Sequence, residues 1–302
     1  MNRPHAFKFF PICGESNYRC SRQIFSVCLR KGQGRGVGEV QSPAPAASWA
    51  ISPWGRAMTT NLLVGLVGLA VGSLLNIIIT RLSEDQPFWS GRPCCSRCHR
   101  ALPWGNFFFL LGFAWHRGCC QYCGEPLSWR YPAVEVAAAF LAVALWWRFP
   151  GSGLLWLYAS FAAALLVLTV LDLQYFWLPD VITLPGTALG LMSAPIFPHP
   201  GFGGALLGAS LGWAFFRGVA WAYEKVSKGR RQRLGEGDAK LMAFIGAVLG
   251  LKALPWVLFS SAALGSLAGL MAARRSAQGR FTPIPYGPFL VAGALSFLFW
   301  KM

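Results

Sequence analysis

Charged residues are scarce in this sequence of 302 residues, of which 13% are Asp, Glu, Lys or Arg. Soluble domains carry about 25% charged residues, so a content this low argues against a soluble globular protein. Hydrophobic residues make up 55% of the chain, and apolar stretches of membrane-spanning length recur along most of it. The composition therefore predicts an all-α polytopic membrane protein that lies in a lipid bilayer.

Acidic residues are the scarcest charged class. There are 11 Asp and Glu against 27 Lys and Arg, which gives a net charge of +16. A basic excess of this size could indicate nucleic-acid binding. However, the basic residues lie between the apolar stretches, and no stripe of basic and aromatic residues runs along a soluble domain. We therefore expect no nucleic-acid partner.

The apolar stretches predict about eight transmembrane helices, separated by Pro, Gly and charged residues, as at Arg148–Gly151. Buried helices of a soluble protein are the alternative, which the number of stretches and their sparse charge disfavour. The predicted spans are 61–79, 133–147, 154–171, 181–197, 202–223, 239–254, 256–273 and 284–300.

Lys and Arg are distributed unevenly between alternate connections, and this bias predicts the orientation. The connections after the first, fifth and seventh spans hold 14 of these residues. The opposite side holds three, Arg148, Lys252 and Lys301. The first set of connections is therefore predicted to face the cytoplasm.

Residues 1–57 do not follow this pattern. They carry eight Lys and Arg without an apolar run of spanning length, and they show no apolar signal-peptide core ahead of a small-residue cleavage site. Met58 begins a short lead into the first span. We interpret 1–57 as a non-native extension upstream of a natural start at Met58, with a disordered extension as the alternative.

Six of the nine cysteines lie in the loop after the first span. Two CxxC pairs about 20 residues apart are a strong zinc signal, because they supply the four thiolates of a closed, structural, tetrahedral site. A redox-active CxxC is the competing interpretation, since structural disulfides are disfavoured in the cytoplasm. Cys94 and Cys119 precede the pairs as alternative ligands or spare thiols. The predicted ligands are Cys95, Cys98, Cys120 and Cys123.

Three aspartates lie at the ends of predicted spans. Asp172 is at the C-terminal end of the third span, where the helix macrodipole disfavours a negative charge, so a functional role is favoured. Asp238, in the GxGD sequence Gly235–Asp238, opens the sixth span as an N-cap or a functional residue. Asp180 opens the fourth, where it is equally well a cap for a helix beginning at Val181 or a catalytic residue.

Two carboxyl groups brought together can share one proton. The ionised carboxyl then activates water as a general base, while the protonated one polarises the scissile carbonyl as a general acid. A Ser-His-Asp arrangement does not compete, because none of the four histidines lies near a plausible nucleophile in a span. The rival from another class is a proton-coupled transporter with Asp172 and Asp238 as proton relays. No convincing inverted repeat supports it.

Together these residues resemble the type IV prepilin peptidase family, whose members are bifunctional leader peptidases and N-methyltransferases with a GxGD aspartyl protease motif. The matching features occur in order from about Met58 to the C-terminus. They are Gly72–Asn76, the two cysteine pairs, Arg130–Glu135, Asp172 with Leu178–Asp180, Gly235–Leu241 and Tyr286–Phe289.

The resemblance implies an aspartyl endopeptidase of the bacterial inner membrane, with Asp172 and Asp238 as the catalytic pair facing the cytoplasm. Its substrates would be type IV prepilins or type II secretion pseudopilins, which carry a short basic leader ahead of an apolar helix. Cleavage would follow a glycine, and the new N-terminal residue would be methylated from S-adenosyl-L-methionine. Zinc would be structural, and Gly72 and Glu135 are further candidate contributors.

One stretch departs from the family pattern, because Asn106 is followed by three phenylalanines where the family usually has Ile-Pro. That region is often linked with methylation, so a peptidase without methyltransferase activity is an alternative, as is a non-catalytic assembly factor. No Gly-rich dinucleotide-type motif places the methyl donor. The predicted organisation is a first transmembrane helix at 58–80, a cytoplasmic zinc-binding loop at 81–132 and a transmembrane peptidase core at 133–302.

Overall fold

A computed structural model describes residues 53–84, 98, 119–120, 122–124, 128–197, 200–226, 235–275 and 285–301. These residues form eight α-helices and no β-strand, so the all-α prediction is confirmed for this part of the chain. The helices are α1 Pro53–Ser83, α2 Arg130–Arg148, α3 Gly153–Tyr175, α4 Asp180–Ser193, α5 Gly201–Val226, α6 Glu236–Leu249, α7 Ala253–Arg275 and α8 Gly287–Trp300.

The chain divides into two compact units, Met1–Met58 and Thr59–Met302. Only 53–58 of the first unit belong to the described residues, so the interpretation of 1–57 as an extension falls almost wholly outside them. The second unit contains every feature discussed below.

Four of the described helices are long and apolar enough to cross a membrane, and they are α1, α3, α5 and α7. By contrast, α4, α6 and α8 have 14 residues each. Such helices are about 21 Å long, which is less than the hydrocarbon core of about 30 Å. Within the described residues the predicted order of helical segments is therefore confirmed, whereas length and composition support four membrane spans rather than the predicted eight.

The break between α6 and α7 lies earlier than predicted. After α6 ends at Leu249, Gly250 adopts a φ of 81°, which a residue without Cβ tolerates best. Its neighbour Leu251 donates an N–H to the Gly204 carbonyl at 3.1 Å. Since α7 begins at Ala253, Pro255 lies in the first turn, where its missing N–H costs no helical hydrogen bond. The prediction of a break at 255 was therefore wrong.

Helix α6 lies at the centre of the described core, with nearly every residue from Ala239 to Leu249 buried. Glycines bring α5 against it. A Cβ on Gly208 would lie 2.4 Å from the Gly246 carbonyl oxygen, and a Cβ on Gly246 would lie 2.3 Å from that of Gly208. Small residues of this kind let helices pack closely in membranes. Protein therefore surrounds the short α6, and the polar residues at its start are held by packed neighbours.

Candidate active site

Asp172 lies in the last turn of α3 and is buried, with 6% of its surface exposed. The helix ends because Phe176 adopts the left-handed conformation, with a φ of 52°. The Phe176 N–H still donates to the Asp172 carbonyl oxygen at 3.0 Å. The predicted place of Asp172 at a helix C-terminus is thus confirmed, and its own helix dipole does not favour a carboxylate there.

The N-terminus of α8 supplies the missing stabilisation. The backbone N–H of Gly287 donates to Asp172 Oδ2 at 2.9 Å in a buried hydrogen bond. Gly287 is the first residue of α8, where N–H groups have no partner within the helix and the dipole is positive. Asp172 therefore lies at the C-terminus of one helix and at the N-terminus of another, and the second accommodates a carboxylate.

Only glycine fits at position 287. A Cβ there would lie 2.6 Å from Asp172 Oδ2 and 3.1 Å from its Cγ, so any side chain would push the carboxyl group away. The preceding residue, Tyr286, shares a hydrogen bond between its hydroxyl and Ser261 Oγ at 2.9 Å. This contact fixes the start of α8 on α7. The sequence pointed to the Tyr286–Phe289 segment only through family resemblance.

Asp238 is the third residue of α6 and is partly buried. Gly235, with a φ of 77°, occupies the N-cap, and no described side chain makes a capping hydrogen bond there. The alternative of Asp238 as an N-cap is therefore wrong. The negative charge of Asp172 acts on the Asp238 carboxyl, so the fold brings both predicted residues into one electrostatic environment.

The connection after α3 packs against the start of α6. Leu178 is buried in this connection, and a Cβ on Gly237 would lie 3.0 Å from Leu178 Cδ1. The glycine immediately before Asp238 therefore admits the chain segment that follows Asp172. This contact holds the two aspartate-bearing segments side by side.

Asp180 belongs to the edge of this site. Helix α4 begins at Asp180 itself, Pro179 occupies the N-cap, and no described side chain makes a capping hydrogen bond. The predicted cap of a helix beginning at Val181 is thus corrected. Instead, Asp180 Oδ1 accepts a hydrogen bond from Lys240 Nζ at 2.6 Å, with the Asp180 side chain 54% exposed. Lys240, which sequence reasoning did not single out, joins α6 to α4 through this ion pair.

Three of the four predicted zinc ligands lie close together. The sulfur atoms of Cys98, Cys120 and Cys123 are within 4.8 Å of one another, and those of Cys98 and Cys120 are 4.0 Å apart. Thiolates around a tetrahedral zinc, with bonds of about 2.3 Å, are separated by about 3.8 Å. This cluster therefore fits a zinc site, and Cys119 is not one of its members. Cys94 and Cys95 lie outside the described residues.

The first-span motif and the α2 motif meet at one helix interface. A Cβ on Gly72 would lie 2.6 Å from Glu135 Cα, so Gly72 serves close packing between α1 and α2. Ser73 Oγ donates a hydrogen bond to Glu135 Oε1, and Glu135 is fully buried. Gly72 and Glu135, the two further candidates from the sequence, therefore belong to the contact between α1 and α2.

Two family models match the chain in succession. The Bacterial Peptidase A24 N-terminal domain matches residues 66–149, which include the described cysteines. The Type IV leader peptidase family matches residues 159–270, which include both aspartates of the candidate pair. No solved structure matches the chain.

Relatives named prepilin leader peptidase/N-methyltransferase match most of the chain. The protein from Burkholderia pseudomallei (strain 1026b) is 33% identical over 85% of this chain and 89% of its own length. The Aeromonas hydrophila protein is 34% identical over 79% and 90%, respectively. The Myxococcus xanthus protein is 36% identical over 68% and 61%. With its two carboxyls and its cysteine cluster in the matched regions, the chain belongs to the prepilin leader peptidase/N-methyltransferase family.

Proposed function

We propose that this protein is a membrane aspartyl endopeptidase that cleaves the leader from type IV prepilin or pseudopilin precursors and methylates the new N-terminal residue. The observation that carries the proposal is the contact of Leu178, in the connection after Asp172, with Gly237, which immediately precedes Asp238. The carboxyls of the two aspartates come from the ends of two different helices, in a chain whose relatives bear this activity in their names.

The two aspartates would hydrolyse the peptide bond as a pair. Two carboxyls in one site disfavour double ionisation, so the pair would hold one proton between them. The ionised carboxyl removes a proton from water, and the protonated one donates to the scissile carbonyl. Because Asp172 Oδ2 accepts the Gly287 N–H, Asp172 Oδ1 remains for water.

The short helices support a membrane-embedded site. We propose that all eight described helices lie within the bilayer of the bacterial inner membrane, with α4, α6 and α8 shielded by the five longer helices. The excess of Lys and Arg in alternate connections supports a position for the aspartates at the cytoplasmic edge. The proposed organisation remains a first transmembrane helix at 58–80, a zinc-binding loop at 81–132 and a peptidase core at 133–302.

Zinc would be bound by Cys98, Cys120 and Cys123, with Cys95 as the proposed fourth ligand. Four thiolates leave no position for water, so the metal would stabilise the loop and take no part in hydrolysis. The redox alternative uses only one pair of thiols, whereas the described cluster joins sulfurs from both CxxC pairs.

The second reaction transfers a methyl group to the amine that cleavage exposes. S-adenosyl-L-methionine is the proposed donor, as the names of the relatives imply. The comparisons do not favour a transporter. A precursor that is cleaved but not methylated would identify a peptidase without the second activity.

Cleavage of a purified prepilin by the purified protein, followed by mass spectrometry, tests the proposal. We expect Asp172→Asn and Asp238→Asn each to lower the cleavage rate by about 10²- to 10⁴-fold, because each removes one member of the acid–base pair. Glu224→Gln, at an exposed position of α5, should cleave within about twofold of the wild type. Wild-type rates for both aspartate variants would rule out the aspartyl mechanism.

A further inference from the structure

The last turn of α3 is held from a second side, by Arg130 at the start of α2. Arg130 Nη1 donates to Gln174 Oε1 at 2.8 Å, and Arg130 Nη2 donates to Thr80 Oγ1 at 3.0 Å. Gln174 lies two residues after Asp172, and Thr80 lies in the last turn of α1. A single guanidinium group therefore joins the ends of three helices.

The partners of Arg130 are themselves fixed. Thr80 Oγ1 donates to the Asn76 carbonyl oxygen at 2.9 Å, and Asn76 Nδ2 donates to the Tyr131 carbonyl oxygen at 2.9 Å. Asn76 is fully buried. The guanidinium also lies over the Tyr131 ring, 4.7 Å from its centroid. These contacts hold the planar guanidinium in one orientation, in which Nη1 and Nη2 each donate to a different acceptor.

The end of α3 needs such a connection. Its last carbonyl groups lack partners within the helix, so this turn is the part of α3 least stabilised by its own hydrogen bonds. The residues on either side of Gln174 pack poorly, since Leu173 is 45% exposed and Tyr175 is 38% exposed. The link from Gln174 to Arg130 therefore limits rotation of the turn that carries Asp172.

We propose that Arg130 is a positioning residue for cleavage. By joining the last turn of α3 to α1 and α2, it sets the direction of the Asp172 carboxyl toward Asp238, while the Gly287 N–H holds one oxygen of that carboxyl. The inference rests on the proposed function and deepens it. Arg130 lies in the part of the chain matched by the N-terminal family model, whereas both aspartates lie in the part matched by the second model. The first part would therefore contribute to the geometry of the peptidase site.

Steady-state cleavage of a prepilin by full-length Arg130→Lys enzyme tests this role. Lysine keeps the positive charge but has a single ammonium group, so it cannot bond Gln174 and Thr80 with the same fork. We expect kcat per folded enzyme to fall about tenfold or more, because small displacements of reacting groups are costly. KM should stay within about twofold of the wild type, since Arg130 does not touch the substrate. Arg148→Lys, at the other end of α2, is the matched control and should keep wild-type kcat.

A double variant separates positioning from a general structural role. In Arg130→Lys/Gln174→Glu, a direct ion pair can rejoin α2 to α3, so we expect most of the lost kcat to return. Gln174→Glu alone is the reference for the double variant, because Arg130 pairs with glutamate as well as with glutamine. Melting temperature and the yield of folded protein are recorded for every variant.

Three results would overturn the inference while leaving the proposed function intact, provided that Asp172→Asn remains inactive. They are an unchanged kcat in Arg130→Lys, a loss that the double variant does not restore, and a loss accounted for by a lower yield of folded enzyme. If the wild-type protein does not cleave prepilins, the proposed function fails and this inference fails with it.

Discussion

The end of α3 and the start of α6 each carry one aspartate of the proposed pair, but they stabilise it in different ways. Asp172 lies at the C-terminus of a 23-residue helix and depends on the N–H of Gly287 from α8. Asp238 lies in the first turn of a 14-residue helix, where that helix's own dipole favours a carboxylate. One aspartate is thus placed by tertiary structure and the other mainly by local structure.

This difference predicts unequal sensitivity to change. Asp172 is linked to three other helices, through Gly287 and through Gln174 with Arg130 and Thr80. Asp238 needs chiefly the packing of its own buried helix. Substitutions on the Asp172 side should therefore reduce cleavage more than sterically similar substitutions on the Asp238 side.

Among substitutions at residues that surround the two aspartates, the largest effect is expected from Gly287→Ala. The added Cβ would lie 2.6 Å from Asp172 Oδ2, so the carboxyl must move by a fraction of an ångström or more and lose its hydrogen bond. We expect kcat for prepilin cleavage to fall by about 10²-fold.

Gly293→Ala is the matched control, because Gly293 is also on α8 but away from Asp172. Its Cβ would lie 2.6 Å from Ser260 Oγ of α7. It should destabilise the protein comparably and retain far more kcat per folded enzyme. Equal losses of kcat in both variants would show that packing of α8, rather than the position of the carboxyl, limits activity.

A smaller effect is expected from Gly237→Ala on the Asp238 side. The added Cβ would lie 3.0 Å from Leu178 Cδ1 and 3.2 Å from Leu178 Cβ, so the buried leucine as a whole must shift by a few tenths of an ångström. Alanine also favours the helix over glycine by about 1 kcal/mol. We expect the melting temperature to change little and kcat to fall by less than about tenfold.

Gly218→Ala in α5, where a Cβ would meet no atom within 4 Å, controls for helix propensity alone. Its cleavage rate should equal that of the wild type. A loss in Gly237→Ala as large as that in Gly287→Ala would refute the predicted asymmetry between the two aspartates.

The smallest effect is expected from Lys240→Met. This change breaks the exposed ion pair with Asp180, and such pairs contribute about 0–1 kcal/mol. Cleavage should remain within about threefold of the wild type and thermal stability should change slightly. Lys252→Met, at an exposed position after the opposite end of α6, serves as its control. A loss above about tenfold in the first variant alone would place Lys240 among the groups that act on Asp238.

Sequence patterns predicted the helices well because long apolar runs are local features. The eight predicted stretches correspond in order to α1 through α8. The same patterns placed Asp172 at the end of a helix, and the aspartate motifs pointed to the proposed pair. The lengths of the predicted apolar stretches did not distinguish α4, α6 and α8 from the longer helices. These three helices are too short to cross a bilayer unaided.

Two of the errors involve proline. The predicted spans 239–254 and 256–273 place a break at Pro255, yet the first turn of α7 accommodates this residue. Asp180 was predicted as a possible cap of a helix beginning at Val181. Instead, Pro179 occupies the N-cap position, and Asp180 is the first residue of α4. Local propensity did not show how each neighbouring segment packs.

The contacts of Asp172 could not be predicted from the sequence at all. Gly287 lies 115 residues from Asp172 along the chain, and helical periodicity does not specify which helix end meets which. The same holds for Arg130 and Gln174, which are 44 residues apart. Such pairs are determined by the packing of whole helices.

The hydrogen bond between Asp172 and Gly287 also has a consequence for the order of assembly. Contacts between segments so distant in sequence form late, because the entropy of closing the intervening chain must be overcome first. Until α8 docks, the carboxyl of Asp172 lacks its donor. A partly inserted chain that already contains α3 and α6 would therefore hold both aspartates without proteolytic competence, and cleavage of prepilin leaders would begin only once α8 has docked.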